Sequence, residues 1–221
     1  MKTKKIPTFV MLMMLALLAS PSFAQKGFNL SLSGIGQNSW IFNSDDSDND
    51  AFSYKAYIHP AFGLGAGYNF TDNAGLGLDV IYSFQGRKQE VNGVETRYKL
   101  DYLKVPLYFH FNTNPEAQWM FSANVGPQMS ILTTAKMLDA NDNETDLKDQ
   151  DVYEDLSIGA FASAGAEYKL NNNLNLFALA RFDMDFTNAE NEDATGYNPD
   201  RANSYNSTLG LQLGVRYKLG K

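Results

Sequence analysis

The residues of this chain best suited to chemistry are a few charged and imidazole side chains set among apolar neighbours. They are Asp79, Lys104, Glu167, Arg181, Asp183, Asp185 and Arg216, with His59 and His110 as the two histidines. Opposite charges that converge in a dry interior pair with one another and brace it. The same charges along a wet path would select or gate ions. A histidine beside a serine or carboxylate would activate a nucleophile. Neither histidine sits in a recognisable nucleophile motif, so no catalytic, cofactor-binding or metal residue is assigned, and the chain reads as a non-enzyme.

The elements that must hold these groups are strands. From Phe28 to Trp40 the even positions include Phe28, Leu30, Leu32 and Trp40, while the odd ones include Asn29, Ser31, Ser33, Gln37 and Ser39. That is a period of two, not a helical stripe. The same phase recurs over 58–70 and 74–86, and further strands are expected over 98–112, 117–132, 156–170, 174–187 and 204–219. Each is longer than the ~5–6 residues usual in soluble sheets. The connections 71–73, 113–116 and 171–173 are tight, whereas 41–57, 87–96, 133–155 and 188–203 are long and polar. Such alternation predicts an all-β, eight-stranded antiparallel up-and-down transmembrane β-barrel, with short periplasmic turns and long polar outer loops.

Volume decides which face looks inward. The apolar face carries large residues on every strand, whereas the other is rich in Gly63, Gly65, Gly67, Gly75, Gly77, Ser31 and Ser33. A narrow barrel can hold only the small set. Aromatics ring both ends of the apolar face, with Trp40, Tyr82, Phe84, Tyr98, Phe186 and Tyr205 at the loop end and Phe28, Tyr68, Phe70, Phe111, Trp119, Tyr168 and Tyr217 at the turn end. Membrane interfaces select such girdles. A soluble barrel would instead surround itself with Lys and Glu.

The stretch YLKVPLYFHF, residues 102–111, places Lys104 and Pro106 inside an apolar strand. Its upper half sets Tyr98, Leu100 and Tyr102 on even positions, and its lower half sets Leu103, Val105, Leu107, Phe109 and Phe111 on odd ones. The slip predicts a bulge over Tyr102, Leu103 and Pro106, with Lys104 and His110 turned into the lumen. A lysine facing lipid near mid-membrane would cost about 2–4 kcal/mol. Asp79, Lys104, Glu167, Arg181 and Arg216 thus form a lumen charge network, structural rather than conductive, with Glu167, Arg181 and Arg216 expected in one cluster. Ile81, Phe161, Phe177 and Leu179 fill the space around it.

The N-terminus carries Lys2, Lys4 and Lys5, an apolar run from Phe9 to Ala19, and Ser22-Phe23-Ala24. Residues 1–24 read as a cleaved signal peptide and 25–221 as one outer-membrane β-barrel domain, located in the cell outer membrane. The chain has no cysteine, so disulfides do not brace it. A net charge of −7 argues against nucleic acid as a partner. The partners expected are membrane lipid and lipopolysaccharide around a monomeric barrel, with secretion or envelope proteins as further candidates. In the acidic third loop, Asp139, Asn141 and Asn143 imitate the start of a calcium loop. Glu144 stands where that loop needs glycine and Gln150 where it needs its closing glutamate, which leaves loose calcium binding beside a plain solvated loop.

LDYLKVPLYFHF, WMFSANVGPQMSIL and SIGAFASAGAEYKL together resemble the PorT-like outer-membrane β-barrel family common in Bacteroidetes. The signposts are Tyr102, Leu103 and Pro106, then Gly126 and Pro127, then Gly165, Glu167 and Tyr168. The resemblance implies the same barrel, and a role either in the envelope and its surface contacts or in an outer-membrane secretion or assembly complex. Some eight-stranded outer-membrane barrels modify lipid A, which makes a lipid-modifying enzyme the third reading.

Overall fold

A computed structural model describes residues 27–47, 53–55, 57–91, 94–114 and 116–219. Residues 1–24, where a signal peptide is expected, lie outside the described residues. Among the described residues eleven strands follow in chain order: β1 (Phe28–Phe42), β2 (Ser53–Lys55), β3 (Ile58–Asn69), β4 (Ala74–Ser83), β5 (Gly86–Val91), β6 (Val94–Asn112), β7 (Trp119–Leu138), β8 (Glu144–Asp146), β9 (Leu156–Lys169), β10 (Leu174–Asp185) and β11 (Tyr205–Leu219). β1, β3, β4, β6, β7, β9, β10 and β11 pair in that order, all antiparallel, and β11 returns to β1. The sheet is therefore a closed eight-stranded barrel. No described helix is long and apolar enough to cross a membrane.

The alternation expected along each strand is realised as two faces. Ile58 is 76% exposed and Leu64 65%, whereas Lys104 is 4% exposed and Glu167 0%. Apolar side chains outside and polar ones inside invert the order of a soluble protein, and only a hydrocarbon surround makes that favourable. The tight turns are built by their own side chains. Thr71 Oγ1 accepts hydrogen bonds from the Asn73 and Ala74 amides at 3.3 and 2.9 Å. Asn171 Oδ1 does the same for the Asn173 and Leu174 amides, both at 2.9 Å. Asn73 and Asn173 also donate across to the carbonyls of Asn112 and Lys218, which ties each turn to the neighbouring strand.

Two of the long connections are more ordered than their composition suggests. β5 continues the β4 pairing on β6 without a change of register, from Ser83↔Tyr102 to Gly86↔Lys99 and on to Val91↔Val94. The segment read as a loop over 87–96 is therefore largely a hairpin. β7 likewise runs on to Leu138 and pairs with β8. Its 20 residues, at ~3.3 Å each and a tilt near 40°, rise roughly 50 Å, about twice the ~25 Å apolar band. The upper half of the β5–β6–β7 wall thus stands outside the membrane.

That projection corrects the reading of β6. Leu100 and Tyr102 are 2% and 1% exposed, on the same inward phase as Lys104, Pro106, Tyr108 and His110. β6 has no slip of its own, and Tyr98 packs beside Leu100 and Tyr102 rather than joining the lipid-facing girdle. The register shift lies in the β6–β7 pairing, where Asp101 faces Thr134 and Tyr102 faces Leu132. The extra residue is Thr133 of β7, whose hydroxyl donates to the Asp101 carbonyl at 2.9 Å. Below it β7 turns even residues inward as far as Leu132, and above it Ala135 is the next buried position.

Pro106 is accommodated differently. The β4–β6 ladder runs to Leu78↔Leu107 and resumes in the same register at Ile81↔Lys104, leaving Asp79 and Val80 without partners on β6. The missing proline amide thus opens a local gap toward β4, while Pro106 keeps its place opposite Gln128 on β7. Pro127 opens a second gap, between Pro106↔Gln128 and Phe109↔Val125. There the backbones crowd together, and a Cβ on Gly126 would lie 2.0 Å from the Leu107 carbonyl oxygen.

Glycines on the lumen face make room for neighbours in the same way. A Cβ on Gly77 would sit 2.3 Å from the Tyr108 ring, and one on Gly65 would sit 2.1 Å from the Asp79 carboxylate. Gly36 faces outward and has nothing within 4 Å of that position. Gly77→Val should therefore lower unfolding stability by about 1–3 kcal/mol through forced displacement of Tyr108. Gly36→Val should leave it within about 0.5 kcal/mol. Guanidinium titration of the refolded barrel in detergent checks both.

Candidate functional site

The lumen charges form two tiers, not one cluster. In the lower tier the Arg216 guanidinium donates to Glu167 Oε2 at 2.5 Å and to His110 Nε2 at 3.0 Å. Arginine only donates, so His110 Nε2 accepts and the ring proton sits on Nδ1, 2.6 Å from Asn124 Oδ1. Asn124 passes its amide on to Ser163 at 2.9 Å, and Asn175 donates to Glu167 Oε1 at 2.7 Å. Glu167 thus receives a donor on each oxygen and is wholly buried.

In the upper tier Arg181 grips Asp183 on its own strand, Nε donating at 3.1 and 3.2 Å and Nη2 at 2.7 Å, and the same Nη2 also donates to Gln128 at 2.9 Å. Thr208 donates to Asp183 at 3.0 Å, and Lys104 lies 3.7 Å from the same carboxylate. Asp185 accepts from Ser130 at 3.3 Å. The expected union of Arg181 with Glu167 and Arg216 does not form, because Asp183 two residues along is nearer and shares Arg181's face of the strand. Asp79 takes neither route. Its partner is the Tyr108 hydroxyl at 2.9 Å.

Between the tiers lie aromatic rings. The Arg181 guanidinium covers Phe161 at 4.0 Å, Arg216 lies 5.4 Å from Phe177, and Tyr108 meets Phe161 edge-on at 5.6 Å. Leu179 lines the same space, and Ile81 is buried in the lumen with Ile35 and Ala61. The mid-lumen cavity that Asp79, Tyr108, Phe161, Arg181 and Arg216 help to line measures about 10 Å³. That is about one water molecule. His59 is remote from this network, its ring edge-on to Tyr57 at 3.9 Å near the outer end of β3, so the two histidines share no site.

The sequence reading missed the neutral members of the network, Gln128, Thr208, Asn124, Asn175 and Tyr108. Each occupies an inward position of a strand whose alternation was read, so phase alone marked them. It missed also the plug at the outer mouth, where Leu147 and Tyr153 from the acidic third loop pack on Ile41, Leu100, Tyr102, Leu132 and Ala135. Apolar residues in an otherwise acidic loop were the signal. A Tyr153↔Glu190 bridge and the Glu154 amide bond to the Ala189 carbonyl at 3.0 Å join the third and fourth loops. Burial raises the Tyr153 phenol above its ordinary value.

Beneath these joined loops is a second cavity, of about 320 Å³, bounded by Arg87, Tyr98, Tyr153, Glu190, Tyr197 and Arg201 among others. Elsewhere in the third loop several acids are already engaged. Asp139 accepts from the Asn141 and Asn143 amides and the Asn143 side chain at 2.8–2.9 Å, Asp142 pairs with Arg97, and Glu144 pairs with Lys136 at 2.8 Å. Among the described residues no three His, Asp or Glu side chains converge as a metal site.

A closed barrel with an apolar outer face, an ion-paired interior and long outer loops defines an outer-membrane protein. The chain belongs to the outer membrane protein β-barrel domain family, whose model matches residues 20–191. No curated protein matches it. Among solved structures it is similar to OprG from Pseudomonas aeruginosa, with 13% identity, 89% of this chain and 98% of that chain covered, and a TM-score of 0.48. It is similar also to outer membrane protein W of E. coli, with 13% identity, coverage of 87% and 97%, and a TM-score of 0.49. Neisserial surface protein A matches with 14% identity, coverage of 87% and 97%, and a TM-score of 0.45.

Removing one partner of a buried pair strands the other. Arg216→Met or Glu167→Gln should each cost about 3–5 kcal/mol in guanidinium unfolding. Lys104→Met should cost clearly less than half as much, since Arg181 still neutralises Asp183. In the third loop, hydrogen bonds from Asn143 and from Lys136 hold the Asp139 and Glu144 carboxyls below their ordinary 3.8 and 4.5. A depressed folded-state value stabilises above the ordinary one and stops doing so as pH falls through the depressed one. Amide protection at Asn141 and Asn143 should therefore hold at pH 6 and fall as pH drops below about 4, which hydrogen exchange followed by NMR reads out.

Proposed function

We propose that this protein is a plugged, non-enzymatic barrel whose work lies in the envelope and in contacts made by its outer loops. The observation that supports this reading is the two-tier lumen, in which charge meets charge or ring and a cavity of about 10 Å³ is left at its middle. An interior filled to that degree offers no hydrated path, and its histidines lie apart. Residues 1–24 act as a cleaved signal peptide in this reading, and lipid and lipopolysaccharide surround a single barrel.

A PorT-like kinship, and with it a place in a secretion or assembly complex, is the second reading. It is favoured by the position of the signposts. Tyr102, Leu103 and Pro106 lie on β6, Gly126 and Pro127 on β7, and Gly165, Glu167 and Tyr168 on β9, three consecutive strands of the wall. Partner recovery from crosslinked intact membranes separates the two. Reproducible enrichment of export components displaces the envelope role, and recovery of lipid and abundant porins alone supports it.

Planar bilayers holding the purified barrel should show no stepwise conductance, and porin-sized steps would overturn the plugged reading. Lipid A mass spectra from deletion and parent strains should coincide. A difference that His59→Ala or His110→Ala abolishes would make the protein a lipid-modifying enzyme.

A further inference from the structure

The apolar wall of the barrel is not even. Across the outer face of β7, β9, β10 and β11 one rung reads Phe121, Ala166, Ala178, Leu213, with the two small residues side by side between large ones. Such a rung sinks a trough two strands wide, roughly 10 Å. Its lower part encloses about 680 Å³ over Ala166 and Ala178, bounded by Trp119 and Tyr168 on one side and by Leu213 and Val215 on the other. The aromatic side is fixed. The Trp119 and Tyr168 rings lean together at 4.7 Å, and Gln118 Nε2 donates to the Tyr168 hydroxyl at 2.6 Å.

Charge marks the turn end of this trough. Lys169 closes β9 and Lys218 is the last residue but one of β11, so each strand flanking β10 carries a lysine there. Both are partly exposed, and at a strand end a long stem carries its ammonium out to the interface. Among the described residues neither ammonium makes a hydrogen bond or an ion pair. The charges that face Lys218 are Lys169, Arg216, Glu167 and Glu116. Glu167 is already bound by Arg216, so the exposed Glu116 stands against both lysines.

We propose that this trough binds an anionic glycerophospholipid, with its acyl chains over Ala166 and Ala178 and its phosphate on Lys169 and Lys218. Trp119 and Tyr168 then lie at the boundary between chains and headgroup, where amphipathic rings are ordinarily found. Basic side chains at that boundary attract acidic lipid. The convex wall of a second barrel would bridge the trough instead of filling it, and would bring no counter-charge to the lysines. Lipopolysaccharide belongs at the other end, beside the long loops, so glycerophospholipid supplies the anion at the turns. The site rests on the reading of a single barrel surrounded by lipid, and it gives one lipid a class and a place.

Tryptophan fluorescence tests the site, because Trp119 lies in the trough and Trp40 near the loop end of β1. The full mature chain carrying Trp40→Phe is refolded into phosphatidylcholine vesicles that contain brominated phosphatidylglycerol or, at equal mole fraction, brominated phosphatidylcholine. Quenching of Trp119 should show a preference of about fivefold or more for the anionic lipid at low salt. Lys169→Gln combined with Lys218→Gln should abolish that preference. Ala178→Phe, which fills the trough from its floor and leaves both lysines in place, should abolish it too. Equal quenching by the two lipids in the starting protein, or a preference that survives either change, overturns the site. Weak quenching by both lipids in the starting protein means that protein covers Trp119, and overturns the single barrel on which the site rests. Stepwise conductance or an altered lipid A would instead overturn the plugged, non-enzymatic reading and leave this preference in place, so the two fail separately.

Discussion

Inside hydrocarbon no water is present to satisfy a backbone amide, so a strand crossing a membrane must find both of its neighbours within the protein. The β6–β7 and β1–β11 pairings meet that demand by closing the sheet. Closure then dictates the interior. Eight strands leave a lumen just wide enough for side chains to fill, and any charge that enters must be met there. The glycines of β3 and β4, the Tyr108–Asp79 bond and the Glu167–Arg216 pair are answers to that one constraint.

The interior is layered by what each height can tolerate. Near the turns, Glu167, Arg216 and His110 share a network that neutralises itself. Higher up, Asp183 collects Arg181, Lys104 and Thr208. Above the membrane the inward side chains become apolar again, because there the loops supply a roof of Leu147 and Tyr153 for them to pack against. Polar interior and apolar exterior hold for the height of the bilayer, and the ordinary soluble arrangement returns outside it.

This change of rule with height explains what was legible in the sequence. Strand period and face were readable through β1, β3, β4, β9 and β10, where the lipid side is apolar along most of its length. Leu100 and Tyr102 were misplaced because their size matched the lipid face, while their position above the membrane put them under the loops. The bulge was legible as a phase change near Tyr102, but its owner was not. Only the pairing shows that Thr133 on the neighbouring strand is the inserted residue. The lumen residues themselves were found by phase. Their division into two groups was not, since alternation says which way a side chain points and nothing about which neighbour at the same height will claim it. The mouth cavity joins residues of three separate loops, which no local pattern reveals.

The Glu167–Arg216 pair also acts as a measuring mark. Alternation distinguishes one register from the next, because a shift by one residue turns every side chain around, yet it cannot distinguish a register from one two residues away. Arg216 lies on the strand that arrives last and Glu167 two strands earlier. A slip of two residues would keep every face correct and move this arginine by roughly 6.6 Å along the strand, stranding both charges. The buried pair therefore tells apart two closed barrels that hydrophobicity would treat as equals.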